Sequence, residues 1–465
     1  MTVPGTLKRP NYRPLFHYAP AANWINDPNG LLYHRGLYHL YYQYNPHGDT
    51  HGNMNWGKAT SPDLVHWKEH DVALPQHAHE IFSGSAVVDW RNTSGFGRDG
   101  MIPLVACYTG HTPHNQSQFL AYSLDDGERW TYHPEPVLDA QKTDFRDPKV
   151  FWHQPTEQWI MAIVHPVERQ IELFGSPNLH DWTSLSVFGP VGATGGIWEV
   201  PELFSVVNEH GESHWVMKVD LNPGGPFGGS GVQYWLGEFD GVTFSARTPA
   251  RWVDHGKDFY AAITFSGTPG RTVWLAWMNN WQYAQQVPTP GQRGTMSLPR
   301  VVTVQNDPEG PVLTQAPVPE LTALRQQEEN WSGEACLNLQ AGQGHEFRLT
   351  WDGQDAATVR LKFISATGLE AIVEVREGIL RLVRTATEHT KNLDGYAGEH
   401  LARWPEIAGM QDLHLFLDSS SLEVFGGGGR VVMTNLLYSN QPITEVEVQS
   451  IDTELNGQHW TLSLM

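Results

Sequence analysis

A short motif that ends in an aromatic residue recurs along the N-terminal part of the chain, and its spacing constrains the fold more than any other feature. "SPDLVHW" ends at Trp67, "SLDDGERW" at Trp130, "SPNLHDW" at Trp182 and "FDGVTF" at Phe244, so the intervals are 63, 52 and 62 residues. A supersecondary unit repeated at this spacing over roughly 300 residues predicts a β-propeller with about five blades. The terminal aromatic residue is interpreted as a blade-packing side chain rather than a ligand contact.

Short alternating runs separated by turn-forming residues indicate strands throughout the chain. "KVFWHQPTEQWIMAIVH", "ELFSVVNEHGESHWVMKVD" and "AAITFSGTPGRTVWLAWMN" each have the pattern of a strand, a turn and a second strand. The 45 Gly and 19 Trp suit many turns and many half-buried strands better than long helices. The sequence therefore predicts an all-β protein.

A polar residue precedes each of five predicted hairpins at a similar interval. These residues are Asp27, Ser83, Asp147, Glu199 and Asp258, spaced by 56, 64, 52 and 59 residues. Equivalent positions in successive blades of a propeller point at one axis. The spacing therefore predicts that side chains far apart in sequence converge on a central funnel.

The pattern changes from about Leu298. The stretch that follows is rich in proline and loosely patterned, and it is interpreted as a linker. Beyond it, short alternating strands such as "ATVRLKF" and "DLHLFLDSSSLEVF" predict a β-sandwich. The predicted organisation is a five-bladed β-propeller at residues 1–302, a linker at 303–328 and a C-terminal β-sandwich at 329–465.

Charge and cysteine content exclude several functional classes. A net charge of -21 argues against nucleic acid or an anionic membrane as a partner and suits a neutral substrate. The two cysteines, Cys107 and Cys336, provide neither a disulfide framework nor a metal cluster, and Cys107 is expected to be a buried thiol. Neither a metal nor a cofactor is predicted.

No apolar run is long enough to predict a membrane span, and the N-terminal stretch "MTVPGTLKRPNYRPLF" has no apolar region of the kind found in secretory signals. The expected location is cytoplasmic, or extracellular if a signal peptide was removed. The oligomeric state, monomer or homodimer, is left open.

Three acids share a local frame that holds each carboxylate rigidly before a hairpin. Asp27 and Asp147 are each followed directly by proline, and Glu199 is followed by proline after one residue. A single Asp-Pro pair is most often structural, but three acids in matching frames beside aromatic residues favour a site. Two carboxylates facing one site suit glycoside cleavage, in which one acts as nucleophile or base and the other as acid.

The surroundings of the three acids suggest different protonation states. Arg146 is expected to keep Asp147 ionised, and Asp27, in a tight turn with backbone N–H groups nearby, is expected to stay charged. Glu199 lies between Trp198 and Val200, an apolar setting that suits a protonated general acid.

The ordered motifs of the chain resemble those of glycoside hydrolase family 32, the β-fructofuranosidases that include invertases, levanases and inulinases. The residues that carry the resemblance are "WINDPNG", "YYQYNP", "NWGKATSPDLVHW", "FSGSAVV", "FRDPKV", "WEVPELF", "DFYAA", "WMNNWQYA" and "SSLEVFGGGGRVVMTN". They cover nearly the whole chain in the family's order. The family fold, a five-bladed propeller followed by a β-sandwich, agrees with the blade count.

The resemblance implies a role for each matching residue. Asp27 matches the nucleophile, Glu199 the acid/base and Asp147 the transition-state stabiliser of a retaining mechanism, for which we expect the Asp27 and Glu199 carboxyls to be about 5–5.5 Å apart. Eight further positions match residues of the fructose subsite: Asn26, Gln43, Trp56, Phe82, Ser83, Arg146, Tyr260 and Trp281. The implied activity is exo-hydrolysis of terminal β-D-fructosyl units from sucrose and from fructans such as levan and inulin.

One departure, one further point of resemblance and two alternatives accompany this interpretation. Val200 stands where many invertases of the family have cysteine, which removes no catalytic role. The stretch "DLNPGGPFGGSGVQYWLGEFDGVTF" resembles the equivalent loop of levanases and exo-inulinases, which favours fructans as well as sucrose. The alternatives are a fructosyltransferase with the same site and a non-catalytic sugar-binding propeller.

Overall fold

Strands account for most of the protein. The computed structural model describes residues 12–208, 210–308, 310–353, 357–405, 407 and 409–464. Within these ranges the helices are three short 3-10 turns, at Gln154–Thr156, Ala284–Gln286 and Pro319–Leu324, and none is long and apolar enough to cross a membrane. The chain divides into a first unit of Tyr18–Gln285 with Pro290–Leu321 and a second unit of Thr322–Met465 with Gln286–Thr289 and the segment ending at His17.

The first unit begins with three antiparallel sheets, each built from strands that follow one another along the chain. Sheet 1 contains β1 (Asn23–His34), β2 (Leu37–Asn45), β3 (Asn55–Ser61) and β4 (Lys68–Leu74). Sheet 2 contains β5 (Glu80–Val88), β6 (Leu104–Thr112), β7 (Asn115–Ser123), β8 (Thr131–Tyr132) and β9 (Leu138–Lys142). Sheet 3 contains β10 (Arg146–His153), β11 (Gln158–His165), β12 (Gln170–Ser176) and β13 (Thr183–Phe188).

Two more sheets and one closing strand complete the first unit. Sheet 4 contains β14 (Ile197–Val207), β15 (Ser213–Asn222), β16 (Gly231–Phe239), β17 (Phe244–Ala246) and β18 (Arg251–Trp252). The remaining strands are β19 (Tyr260–Thr264), β20 (Thr272–Trp277), β21 (Gln292–Arg293), β22 (Arg300–Asp307) and β23 (Gly310–Pro317). Sheet 5 has the order β19-β20-β22-β23.

The five sheets close into a ring. The first strands of successive sheets contact one another in the order β1, β5, β10, β14, β19, and β19 contacts β1 again. Strand β21, late in the unit, pairs in parallel with β1, so that Gln292 lies opposite Asn23 and the end of the chain segment is joined to its beginning. This is the five-bladed β-propeller that the repeat predicted.

The recurring tryptophan motif forms the same turn in two blades. The indole Nε1 of Trp67 donates to Leu64 O at 2.9 Å, and Nε1 of Trp182 donates to Leu179 O at 2.9 Å. Leu64 and Leu179 both have positive φ, of 66° and 69°. The motif is therefore a turn that leads into the outermost strand, as the blade-packing interpretation predicted.

The prediction of a linker at residues 303–328 is wrong. Strands β22 and β23 pair along their whole length from Arg300 opposite Pro317 to Asp307 opposite Gly310, and they complete sheet 5. The prolines that suggested a linker lie at the ends of β23, an edge strand, where the missing N–H removes no ladder hydrogen bond. The first unit accordingly extends to Leu321.

The second unit contains two six-stranded antiparallel sheets. Its first six strands are β24 (Arg325–Ser332), β25 (Ala335–Asn338), β26 (Gly344–Asp352), β27 (Thr358–Ser365), β28 (Gly368–Arg376) and β29 (Ile379–Arg384). The others are β30 (Gly398–Arg403), β31 (Met410–Asp418), β32 (Ser421–Gly426), β33 (Val431–Leu436), β34 (Ile443–Ile451) and β35 (Leu455–Leu462). The sheet orders are β24-β35-β26-β31-β32-β33 and β25-β34-β27-β28-β29-β30, and one apolar core draws side chains from both sheets, as the predicted β-sandwich requires.

A buried ion pair network holds His17 to this sandwich. His17 Nδ1 lies 2.7 Å from Asp418 Oδ2, and Nε2 lies 2.9 Å from Glu423 Oε1, with all three side chains fully buried. Burial by itself lowers the pKa of His17, but the hydrogen bonds and charges of Asp418 and Glu423 outweigh burial and raise this pKa to about 9. The histidine is therefore an imidazolium at neutral pH.

We expect the charge on His17 to make the stability of the protein pH-dependent on the alkaline side. The folded-state pKa lies above the unfolded value of 6.5, so the stabilisation is complete below about pH 6.5 and is lost as the pH rises through 9. The loss amounts to roughly 3 kcal/mol. Urea unfolding followed by tryptophan fluorescence at several pH values should show that His17→Gln destabilises strongly at pH 7 and much less at pH 10. His114→Gln, at an exposed position, serves as the control, and an equal effect of His17→Gln at both pH values would contradict the assignment.

Candidate active site

Each innermost strand of the propeller has a two-residue gap in its hydrogen-bond ladder near its start. In β1 the residues paired with β2 on either side of the gap are Ile25 and Pro28, which leaves Asn26 and Asp27 without a partner. The equivalent gaps are at Phe82–Ser83, Asp147–Pro148, Val200–Pro201 and Ala261–Ala262. Bulged residues of this kind redirect their side chains, and bulges are common beside active sites.

The predicted acids share this bulge, but they do not share one position in it. Asp27 occupies the second unpaired position, Asp147 the first, and Glu199 the last paired position before the bulge. Asp27 also lies within strand β1 and not in a tight turn, so the turn prediction is wrong. Because the bulge bends the strand, an acidic side chain can point into the funnel from the last paired position before the bulge or from either unpaired position within it.

The prediction that Asp258 is the fifth polar residue facing the funnel is wrong. Asp258 is fully buried before the start of β19 and accepts a hydrogen bond from the hydroxyl of Tyr283. Tyr260 is the residue of β19 that corresponds to Glu199 of β14. The spacing of 59 residues located the blade correctly but selected a residue two positions too early.

The five bulges surround a cavity of about 290 Å³. All three predicted acids line it, together with seven of the eight predicted substrate-binding residues. These lining residues are Asn26, Asp27, Gln43, Phe82, Ser83, Arg146, Asp147, Glu199, Tyr260 and Trp281.

Trp56 is the predicted residue that does not line the cavity. Its side chain is fully buried behind Phe82, and its Nε1 donates to Phe82 O at 3.0 Å. The ring packs against Tyr41 and Tyr108 at centroid distances of 6.0 and 6.3 Å. Trp56 therefore supports the backbone that carries Phe82, and its predicted contact with substrate is not borne out by this placement.

Three lining residues were not predicted: His51, Gln116 and Asp144. Asp144 had a signal in the sequence, because it lies two residues before Arg146 and residues at that spacing share one face of a strand. His51 lies in the connection after β2, and Gln116 lies on β7, the third strand of its blade. Nothing local in the sequence distinguishes them from other polar residues in loops and strands.

Asp27 is held by side-chain donors on both carboxylate oxygens. Ser83 Oγ donates to Oδ2 at 2.6 Å, and Asn26 Nδ2 donates to Oδ1 at 3.1 Å. Trp24 Nε1 donates to Asn26 Oδ1 at 2.7 Å, which orients the amide so that its N–H₂ faces Asp27. Burial raises the pKa of Asp27, the negative charge of Glu199 adds to the rise, and the donors Ser83 and Asn26 oppose it.

Glu199 differs from its predicted environment. Its side chain is 20% exposed, and Arg146 Nη2 lies 3.2 Å from Oε1. Tyr260 Oη donates to Oε2 at 2.6 Å. The neighbours Trp198 and Val200 point elsewhere: Trp198 is fully buried, with its Nε1 donating to Ala193 O at 3.0 Å, as a packing residue should be. The carboxylate therefore meets a guanidinium and a phenol, and the apolar setting inferred from its sequence neighbours is wrong.

Asp147 is aimed by the backbone of the next blade. Val200 N, in the bulge of β14, donates to Oδ2 at 2.9 Å, and Asp147 N donates to Thr109 Oγ1 at 3.0 Å. Asp147 and Val200 both have positive φ, of 64° and 44°, which is unusual for residues with a side chain and places strain at the site. Burial raises the pKa of Asp147 to about 7; Arg146 opposes this rise without overcoming it, so the prediction that Arg146 keeps Asp147 ionised is only partly right.

Arg146 connects the acids to one another. Its Nη1 lies 2.7 Å from Asp144 Oδ1, its Nη2 lies 3.2 Å from Glu199 Oε1, and its Nε lies 3.9 Å from Asp147 Oδ2. Gln116 Oε1 accepts from Nη1 at 3.3 Å. Asp144 and Gln116 thus fix the guanidinium so that its remaining donors face the funnel.

Two buried lysine–carboxylate pairs lie behind the bulges. Lys218 Nζ is 2.6 Å from Asp220 Oδ1, and Lys149 Nζ is 2.8 Å from Glu202 Oε1. Asp220 also accepts from the backbone N–H of Ala261, in the bulge of β19. Each pair compensates its own buried charges, and Asp220 ties the bulge of one blade to the second strand of another.

The aromatic side of the cavity is formed by Trp281 and Phe82. The Trp281 ring packs against Trp277 at a centroid distance of 4.9 Å, and Phe82 stacks on His111 at 4.2 Å with an interplanar angle of 10°. Packing from behind holds both rings rigidly while one surface of each faces the cavity. Such rings suit the apolar C–H face of a sugar, and the opposite wall provides the acids.

The funnel of this propeller holds two carboxylates in different settings. Asp27 accepts from two side-chain donors, and Glu199 contacts a phenol and a guanidinium. This arrangement is that of a glycoside hydrolase of the two-carboxylate kind. The model of the glycosyl hydrolases family 32 N-terminal domain matches residues 17–317, and that of the family 32 C-terminal domain matches residues 320–461. The chain belongs to glycosyl hydrolase family 32.

The relatives of the chain agree with this assignment. It is 40% identical to a levanase of Bacillus subtilis strain 168 over 94% of this chain and 68% of the levanase. It is 38% identical to an extracellular exo-inulinase of Aspergillus ficuum over 94% of this chain and 92% of that protein. A crystal structure of an exo-inulinase from Aspergillus awamori superposes with a TM-score of 0.91 at 34% identity, covering 98% of this chain and 99% of that one.

We expect Ser83→Ala to shift the acid limb of the pH–rate profile. Loss of the Ser83 donor removes a contribution that lowers the pKa of Asp27, so this pKa rises further. Only ionised Asp27 can act as a nucleophile or base. The pH below which activity is lost should therefore rise by up to about one unit. The measurement is the rate of sucrose hydrolysis between about pH 3 and 8. Ser184→Ala, on the outer strand β13, is the control, and an unchanged acid limb in Ser83→Ala would contradict the role of this hydrogen bond.

Proposed function

We propose that the protein is a retaining exo-β-fructofuranosidase that hydrolyses terminal β-D-fructosyl units of sucrose and of fructans by double displacement. The observation that carries the proposal is the placement of Asp27, Glu199 and Asp147 on one cavity of about 290 Å³. This volume is at the small end of ligand pockets and suits a single sugar unit at its inner end, which favours removal of terminal units.

In the first step, Asp27 attacks the anomeric carbon of the fructosyl unit while Glu199 protonates the leaving oxygen. Ser83 and Asn26 hold the attacking carboxylate in one orientation, and Tyr260 and Arg146 do the same for Glu199. Orienting groups of this kind reduce the entropy that the reaction must lose.

In the second step, water attacks the fructosyl–Asp27 ester and Glu199 takes up the proton of the water. Two inversions at the anomeric carbon give net retention, which requires a short separation of the two carboxyls, about 5–5.5 Å. Asp147, aimed into the funnel by Val200 N, is placed to hydrogen-bond the fructosyl hydroxyls and to stabilise positive charge in the transition state.

The loop after β15 supports action on fructans as well as sucrose. Ser230 N donates to Asn280 Oδ1 at 3.2 Å, and Trp281 N donates to Ser230 Oγ at 3.0 Å. The loop whose sequence resembles that of levanases and exo-inulinases therefore holds the backbone of a cavity-lining tryptophan. A transferase has the same catalytic residues, but the relatives reported above are named for hydrolysis, and one of them is named extracellular, which favours secretion over a cytoplasmic location.

The product profile tests the proposal. Wild-type protein is incubated with sucrose, inulin and levan, and the products are separated by anion-exchange chromatography. We expect fructose as the only early product from the fructans, and Asp27→Asn should lower the rate at least about a thousandfold because the nucleophile is lost. Asp71→Asn, on the exposed strand β4, is the matched control. Shortening oligomers would indicate endo cleavage, longer oligomers would indicate transfer, and near-full activity of Asp27→Asn would exclude the mechanism.

Glu199→Gln separates the acid role from the nucleophilic role. With sucrose, whose leaving group needs a proton, we expect a loss of at least about a hundredfold. With β-fructosyl fluoride, whose leaving group needs none, fluoride release in the first turnover should be largely retained. Glu238→Gln, on the surface of β16, is the control. Equal losses on the two substrates would show that Glu199 does not act as the acid.

A further inference from the structure

The first unit contains a second cavity, of about 680 Å³, at the far end of the innermost strands. The catalytic side chains lie near the starts of β10 and β14, at Asp147 and Glu199. The second cavity is lined by later residues of the same strands, including His153 and Ser205. Because a strand advances roughly 3.3 Å per residue, His153 and Ser205 lie roughly 15–20 Å from the catalytic acids. Lys149 and Glu202, which are closer to the acids, form the inner end of this cavity. The two cavities are therefore separate and open at opposite ends of the propeller axis.

Aromatic side chains form one wall of this second cavity. Phe151, Trp215 and Phe239 pack together, with Trp215 at 5.7 Å from Phe151 and 5.1 Å from Phe239. Trp152 lines the same wall, and Trp90 lies on the rim with 63% of its surface exposed. An indole exposed to this degree at the mouth of a cavity is costly to hydrate, and the His34 ring, at a centroid distance of 5.6 Å, covers only part of it.

The charges around the second cavity exclude an anionic ligand. Lys149 lines its floor, but this ammonium is neutralised by Glu202 at 2.8 Å and donates to Thr264 O at 2.6 Å. Asp240, on the rim, adds a negative charge. With a net charge of -21 on the whole chain, a phosphate, a nucleic acid or an anionic lipid would be repelled. Arg91 lies 4.9 Å from the centroid of the Trp152 ring, and Glu157, at 3.3 Å from its Nη1, balances its charge. Aromatic faces without excess positive charge suit a neutral ligand with alternating apolar and hydroxyl surfaces, and a sugar chain has this character.

We propose that the second cavity is a non-catalytic binding site for the fructan chain. The proposal rests on the proposed function, which makes a neutral polysaccharide the molecule that this surface meets. No bond is made or broken at this site. A polymer held there on one branch or segment stays near the enzyme while its free ends reach the funnel, so the site raises the local concentration of chain ends. Sucrose, which is too short to bridge the two cavities, gains nothing from it.

The test is affinity electrophoresis of Asp27→Asn protein in gels that contain levan, inulin or dextran. We expect retardation in levan or inulin and none in dextran. Saturating free fructose, which fills the funnel, should leave part of the retardation in place. Adding Trp90→Ala should weaken the remaining retardation about threefold to tenfold, while Trp90→Phe should preserve most of it, because the ring face is kept. Met410→Ala, a similarly exposed apolar residue in the second unit, should change nothing.

Three outcomes would overturn the second site. These are retardation that fructose abolishes, retardation that Trp90→Ala leaves unchanged, and equal retardation in dextran. In the background with Asp27 intact, Trp90→Ala should lower kcat/KM on levan or inulin and leave kcat/KM on sucrose unchanged. Failure of the proposed function is recognised separately, because wild-type protein would then release no fructose from sucrose or from either polymer.

Discussion

The two-residue gap in strand pairing near the start of each innermost strand determines where the site can be. A regular strand alternates its side chains above and below the sheet, and it would send successive residues into neighbouring blades. The bulges break this alternation around Asp27, Asp147 and Val200, and they turn side chains and backbone N–H groups towards the axis. Because all five blades have the bulge at the same height, residues from the whole first unit meet at one level.

This arrangement brings negatively charged carboxylates close together in a buried site, and neighbouring side chains offset their repulsion. Burial raises the pKa of both Asp27 and Asp147, and the negative charge of Glu199 raises both further. Arg146 reduces this repulsion for Asp147 and also reaches Glu199, while Asp27 depends on the neutral donors Ser83 and Asn26. The three acids consequently differ in partners and in burial. The roles proposed for these acids, as nucleophile, acid and charge stabiliser at one pH, need such differences.

The propeller axis also explains why one chain can have two cavities of different character. Near the strand starts, the bulges fill the axis with polar groups and leave about 290 Å³. Towards the ends of these strands, aromatic residues such as Phe151 and Trp215 line a larger cavity of about 680 Å³. The lysine–carboxylate pair of Lys149 and Glu202 separates the two. One end thus has the chemistry for cleavage and the other has only surface for binding.

The number of blades, the all-β fold and the three candidate acids follow from the sequence alone, because the blade repeat and the motifs that hold Asp27, Asp147 and Glu199 are local patterns of residues. The sequence also showed the hairpins, but the prolines of β23 concealed an edge strand. The folded structure was needed to show that Trp56 supports the wall from behind, that Gln116 orients Arg146, and that Glu199 contacts Tyr260. These contacts join different blades or different strands of one blade. Their geometry depends on how the ring closes and how each bulge turns, and the spacing of residues along the chain does not encode either quantity.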